Sequence, residues 1–182
     1  MIETRQTHPD IERILISEEQ LRNRIREMGK ELSKEYEGRN PVMIGILKGS
    51  VMFLADLLRE ITFECQVDFV SLASYAGASS TGVVRTLLDL RESAQGRDLI
   101  VIEDIVDSGL TLSYLLQNLG TRQPRSLTVC TLLDKPECRK APVQPKYVGF
   151  RIPNEFVVGF GLDYNERYRQ LPYIGVMKRS AL

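Results

Sequence analysis

The stretch Leu99–Leu112 reads LIVIEDIVDSGLTL, and the order of its residues decides the fold class. Leu99 to Ile102 form an apolar run of the kind found in strands covered on both faces. Glu103 and Asp104 follow at once. Then come Ile105-Val106, a third carboxylate at Asp107, the small pair Ser108-Gly109, and Thr111 at the start of an amphipathic run. A buried strand thus delivers acids at its carboxyl end, with a helix N-terminus a few residues on. In open α/β sheets ligands bind at that edge. A helix N-terminus accepts phosphate, and carboxylates suit Mg²⁺. The stretch therefore points to a phosphorylated sugar or nucleotide.

The flanking sequence extends the same pattern. Downstream, Leu112, Leu115, Leu116 and Leu119 share one helical face, with Gly120 expected just past the helix end. Ser126 to Leu133 is β-rich and completes a β-α-β unit. Upstream, residues 41–47 (PVMIGIL) predict a second buried strand. Val51 to Arg59 predict a helix with Phe53, Leu54, Leu57 and Leu58 inward, and residues 63–73 a third strand with Val67, Phe69 and Ser71 on one face. Residues 74–82 (SYAGASSTG) read as a loop before a strand over 83–88, either a plain connection or a lid.

The ends of the chain are less regular. Ile11, Ile14 and Ile16 suggest an edge strand. Ser17 and Gln20 have the spacing of a capping box ahead of a helix that carries Leu21, Ile25, Met28 and Leu32 and ends before Gly38. The prolines at 136, 142 and 145 predict a loop over 136–146. Short strands are expected at 147–150, 156–160 and 173–176.

Composition narrows the chemistry. The 182 residues suit one domain with a sizeable core. Lys plus Arg and Asp plus Glu are 24 each, without the basic excess expected of a dedicated nucleic-acid binder. Cys65, Cys130 and Cys138 form neither a disulfide framework nor a zinc motif. No signal peptide or spanning run is evident, so a cytoplasmic location away from membranes is expected. The only histidine is His8, near the N-terminus. Histidine-based triads and metal sites are thereby nearly excluded, and acid–base work falls to carboxylates, lysines or tyrosines.

With these residues in hand, VIEDIVDSGLT closely resembles the phosphoribosyl diphosphate (PRPP) signature of type I phosphoribosyltransferases. LKGS at 47–50, SY at 74–75, LLDK at 132–135 and FVVGFGLDYNERYR at 156–169 agree in order and spacing with the 6-oxopurine branch, the hypoxanthine-guanine phosphoribosyltransferases. The resemblance implies an α/β fold of the type I phosphoribosyltransferase kind, with a core parallel sheet of about five strands flanked by helices. It further implies one phosphoribosyltransferase domain over 1–182, with a small hood built from the N-terminal segment and roughly residues 135–182. The implied reaction joins hypoxanthine or guanine to PRPP with Mg²⁺, giving IMP or GMP and diphosphate, in a homodimer or homotetramer.

The resemblance also assigns roles. Glu103 and Asp104 lie at the ribose hydroxyls, directly or through Mg²⁺. Asp107 is the general base for purine N7. Asp107, Ser108, Gly109, Leu110 and Thr111 wrap the 5′-phosphate. Lys48, Gly49 and Arg169 hold diphosphate, with a cis peptide before the lysine. Lys135 reads the 6-oxo group, Phe156 stacks on the base, and Val157 meets its edge. Asp163 belongs to the purine pocket and to a second Mg²⁺ on the diphosphate side. Ser74 and Tyr75 belong to the lid.

Two positions depart from the family pattern. Leu110 stands where relatives are often polar or basic, and Asp134 adds a negative charge beside Lys135. A preference for xanthine or another nucleobase is one alternative. A PRPP- or nucleotide-sensing RNA-binding regulator on the same fold is an alternative of another class, against which the zero net charge and the intact acids count.

Overall fold

The computed structural model of the chain describes residues 7–74 and 84–182. In chain order the elements are β1 (Ile11–Ile16), α1 (Glu18–Tyr36), β2 (Val42–Leu47), α2 (Val51–Glu60), β3 (Gln66–Ser74), β4 (Val84–Leu88), β5 (Asp98–Val106), α3 (Leu110–Thr121), β6 (Ser126–Asp134), β7 (Tyr147–Arg151), β8 (Val157–Val158) and β9 (Ile174–Met177). Six strands form one sheet in the order β4-β3-β2-β5-β6-β7. β3, β2, β5, β6 and β7 run parallel, and β4 adds an antiparallel edge. This is the type I phosphoribosyltransferase architecture.

Apolar alternation explains the layering. On one face Met43, Ile100, Ile102 and Leu132 pack with Leu21, Ile25, Met28, Phe53, Leu54 and Leu57 of α1 and α2. On the other, Ile44, Leu99, Val101 and Val129 pack with Leu112, Leu115 and Leu119 of α3. Each such side chain contributes roughly 1.5–3 kcal/mol on full burial. That is why β2 and β5 read as continuous apolar runs rather than alternating ones. α1 starts as its capping box requires: Ser17 Oγ accepts from the Gln20 amide at 3.2 Å, and the Ser17 amide donates to Gln20 Oε1 at 2.8 Å.

A second, three-stranded antiparallel sheet has the order β1-β9-β8. Ile11, Val158, Tyr168, Tyr173 and Met177 form its core. Tyr168 Oη donates to Asp10 Oδ2 at 2.7 Å, and the His8 amide donates to Tyr173 Oη at 3.0 Å. These bonds tie the N-terminal segment to the chain around residues 156–173.

Several expectations are corrected. β5 runs on through Val106 rather than ending at Ile102, because its register with β6 continues to Val106↔Asp134. Gly120 lies inside α3, whose last carbonyls, Leu119 O and Gly120 O, accept from the Arg122 and Gln123 amides. β3 begins at Gln66, and its fully buried residue is Val70, while Val67 is exposed. The strand expected over 156–160 shrinks to Val157–Val158, since Gly159 and Gly161 take positive φ.

Candidate active site

Glu103 and Asp104 project from the last part of β5. Glu103 is half-buried, and its Oε2 is shielded from solvent without a hydrogen-bond partner. Burial first, then the neighbouring Asp104 charge, pushes its carboxyl well above the usual range. Asp104 Oδ1 accepts from the Ile105 amide at 2.8 Å, yet burial still raises its carboxyl to about 6. Two desolvated carboxylates, one with an orphaned oxygen, form a donor set that suits a hard cation. No group of three or more His, Cys, Asp or Glu is close enough to enclose a metal among the described residues. One or two carboxylates plus substrate oxygens is how proteins usually hold Mg²⁺.

Residues 107–111 turn from β5 into α3. Gly109 is the N-cap residue and has φ +76°, a left-handed conformation that glycine adopts freely. A pocket of about 130 Å³ opens here, lined among others by Glu103, Asp107, Ser108, Gly109 and Thr111. The free amides of the first helical turn and the helix dipole favour an anion beside it. Leu110 opens α3 with its side chain exposed. Asp107 is exposed at the turn.

Lys135 follows the last residue of β6 and is only 6% exposed. Its amide donates to Val106 O at 2.9 Å, and its Nζ lies 3.8 Å from Asp107 Oδ2. The two residues, 28 positions apart in sequence, are thus neighbours because β5 and β6 are paired. Phe156 is 43% exposed and meets Tyr164 edge-on, with ring centroids 5.4 Å apart. An aromatic ring exposed to this degree is available for stacking. Val157 is buried in β8, where it pairs with Val176.

The segment after β8 folds over residues 48–49. Arg169 Nη2 pairs with Asp163 Oδ1 at 2.9 Å, and Nη1 donates to Gly161 O at 2.7 Å. Lys48 Nζ pairs with Glu166 Oε2 at 2.9 Å, and Glu166 also lies 3.4 Å from Arg169. The Lys48 ammonium holds the Glu166 carboxyl below its usual range. The peptide between Leu47 and Lys48 is cis. Arg169 and Asp163 lie close enough to Asp104 to act on it with opposite signs.

The structure therefore gathers Lys48, Gly49, Asp104, Asp163 and Arg169 on one side, and Asp107, Ser108, Gly109, Thr111 and Lys135 on the other. Ser74 ends β3. Tyr75 and residues 76–83, expected to form a lid, lie outside the described residues. Sequence reasoning missed Glu166, which stands between two cations, and Gly161, whose lack of a side chain admits the Gly49 carbonyl. Neither contact leaves a signal within its own stretch. Asp134, expected to add a negative charge near Lys135, is buried and ion-paired with Arg139.

A parallel sheet that ends in two half-buried acids and an anion-binding turn, faced by a lysine and an arginine, defines the class of the type I phosphoribosyltransferases. The model of the phosphoribosyl transferase domain matches residues 16–165. The hypoxanthine-guanine phosphoribosyltransferase of Bacillus subtilis is 50% identical over 170 residues, covering 93% of this chain and 94% of that protein. A crystal structure of a hypoxanthine phosphoribosyltransferase from Staphylococcus aureus superposes with a TM-score of 0.92 at 46% identity, over 96% of this chain and 95% of that one. The bifunctional protein TilS/HprT of Listeria monocytogenes is 52% identical over 172 residues. That match covers 94% of this chain, which spans only 26% of the longer relative. The chain belongs to the hypoxanthine-guanine phosphoribosyltransferase family.

Proposed function

We propose that the chain salvages purines by moving the 5-phosphoribosyl group of PRPP to N9 of hypoxanthine or guanine, giving IMP or GMP. The observation that carries this reading is the buried Lys135 Nζ, 3.8 Å from Asp107 Oδ2. A lysine offers only donors. At the purine 6-position it rewards a carbonyl and not an amine, while Asp107 stands beside it to take the proton from N7.

In the reaction the C1′–diphosphate bond breaks and the N9–C1′ bond forms. Positive charge develops on the sugar and negative charge on the leaving group. Placed charges stabilise both without reorganising. Glu103 and Asp104 face the ribose, Ser108 to Thr111 hold the 5′-phosphate, and Lys48, Gly49 and Arg169 receive diphosphate. Phe156 stacks on the purine and Val157 offers backbone groups to its edge. Glu103, Asp104 and Asp163 are the residues that would hold Mg²⁺, which supplies charge neutralisation on PRPP and diphosphate. The family resemblance also supports a cytoplasmic homodimer or homotetramer. No described helix is long and apolar enough to cross a membrane.

Steady-state turnover of hypoxanthine, guanine, xanthine and adenine with PRPP and Mg²⁺ tests the reading. Hypoxanthine or guanine is expected to lead, and Asp107→Ala to abolish turnover. A lead for xanthine would move the assignment to that base, and tight RNA binding without turnover of any base would refute it.

A further inference from the structure

β5 and β6 end on the same rung, Val106 opposite Asp134. Beyond it the chains diverge, one into Asp107 and the turn to α3, the other into Lys135 and the loop to β7. Arg139 closes this end. Its guanidinium pairs with the Asp134 carboxylate, Nη2 also lies 3.4 Å from Val106 O, and Nη1 donates to Val143 O at 2.8 Å. The Asp134 and Arg139 side chains are only 8% and 17% exposed. Arg139 Nε is buried without a partner, so the guanidinium is held through its two Nη atoms alone. Next to it the Lys140 and Ala141 amides donate to Ser108 O at 2.9 and 3.1 Å.

We propose that Arg139, held by Asp134, is a positioning residue that clamps the last β5–β6 rung and so sets the spacing between Asp107 and Lys135. The proposal rests on the purine-reading roles given to those two residues above. The geometry is direct. Arg139 binds the residue before Asp107 through its carbonyl and the residue before Lys135 through its carboxylate. It touches neither reacting group. The Asp107 side chain is 54% exposed, so where its carboxylate stands follows from the backbone on either side of it, Val106 and Ser108. Pairing also neutralises Asp134, which leaves Lys135 facing Asp107 without a competing free carboxylate on the adjacent residue. A buried ion pair is weak evidence for stability, because desolvation offsets much of its attraction. Its use here is geometric.

The test compares Arg139→Met, Arg139→Lys and the double variant Asp134→Leu/Arg139→Met, all in the full chain. The double variant replaces both partners with apolar groups, which commonly leaves stability near that of the parent. Expected is an unfolding midpoint close to wild type, with kcat/KM for hypoxanthine lower by about tenfold or more at saturating PRPP. Arg139→Lys, which keeps the charge, is expected to recover part of what Arg139→Met loses. A double variant with kcat/KM within about twofold of wild type would overturn the proposal. Should the double variant not fold, Arg139→Met, assayed well below its own unfolding midpoint, decides on the same criterion. If wild type turns over no purine, the functional reading fails separately. A crystal structure of the double variant then decides the clamp: a Lys135–Asp107 separation still at 3.8 Å overturns it, and a widened one supports it.

Discussion

The carboxylate of Asp104 occupies the space that any side chain at Gly49 would need: a Cβ built on Gly49 comes 1.6 Å from Asp104 Oδ2. On the other side, a Cβ on Gly161, whose φ is +102°, would come 2.0 Å from Gly49 O. Residues 48–49 are thus held between the acids of β5 and the segment after β8. The loop that follows β2 can lie this close to Asp104 of the neighbouring β5 because nothing but hydrogen stands at position 49.

Gly49→Ala must displace either the loop or Asp104. A misplacement of about 1 Å can cost roughly a hundredfold in rate. We expect kcat/KM for PRPP to fall by that order, with KM for PRPP raised. Gly120→Ala is the control. It sits in α3 with open space around its Cβ position. Alanine there is expected to stabilise the fold by about 0.5–1 kcal/mol without altering the kinetics. Unchanged kinetics in Gly49→Ala would remove the assigned role of that loop.

Glu103 is half-buried, with one oxygen shielded and unpartnered beside a second desolvated acid. Such a group opposes folding of the free protein. Glu103→Gln is therefore expected to raise the unfolding midpoint of the free protein at neutral pH while depressing turnover. A gain of about 1 kcal/mol corresponds to about 2–4 °C for a chain of this size. Thermal unfolding of both proteins without PRPP or Mg²⁺ checks this, and a lower midpoint in the variant would contradict it.

Asp98, buried at the start of β5, takes two bonds from Arg125 and one from Ser126 Oγ at 2.7 Å. These bonds, Arg125 foremost, hold its carboxyl below the usual value of 3.8. A depressed folded-state pKa stabilises the fold above the unfolded value, and that contribution is lost as pH falls below it. The stability difference between wild type and Asp98→Asn is thus expected to be constant near neutral pH and to shrink below about pH 4. A difference that grows on acidification would reverse the sign of the argument.

Glu166 sits between Lys48 and Arg169, where the diphosphate of PRPP is proposed to lie. Exposed ion pairs are weak, so relieving this competition should lower KM for PRPP by no more than about fivefold. Glu166→Gln kinetics at low salt measure it. A raised KM would make Glu166 a contributor to binding rather than a competitor.

The strand, acids and turn of residues 99–112 were legible because strand, turn and helix start are written locally, in apolar run, small residues and spacing. Where the acids fall was not. Strand pairing with β6 carries β5 on through Glu103 and Asp104, and no local propensity records a partner's length. The expectation for Gly120 fails for a related reason: the terminal carbonyls of α3 are met by the Arg122 and Gln123 amides rather than at a glycine turn. The contacts of Asp134 with Arg139, Lys48 with Glu166, and Gly49 with Asp104 join residues through loop geometry. The family pattern supplied Lys135, Phe156 and Arg169, but Arg139 and Glu166 came into view only in three dimensions.

The most direct test is the ratio of kcat/KM for hypoxanthine to that for adenine, measured for wild type and Lys135→Met with PRPP and Mg²⁺. Sites built to hydrogen-bond a substrate group reject analogues lacking it by large factors, so wild type is expected to favour hypoxanthine by about a hundredfold or more. Lys135→Met is expected to lose most of that ratio through slower hypoxanthine turnover. Equal or greater turnover of adenine by wild type would contradict the assignment of the site.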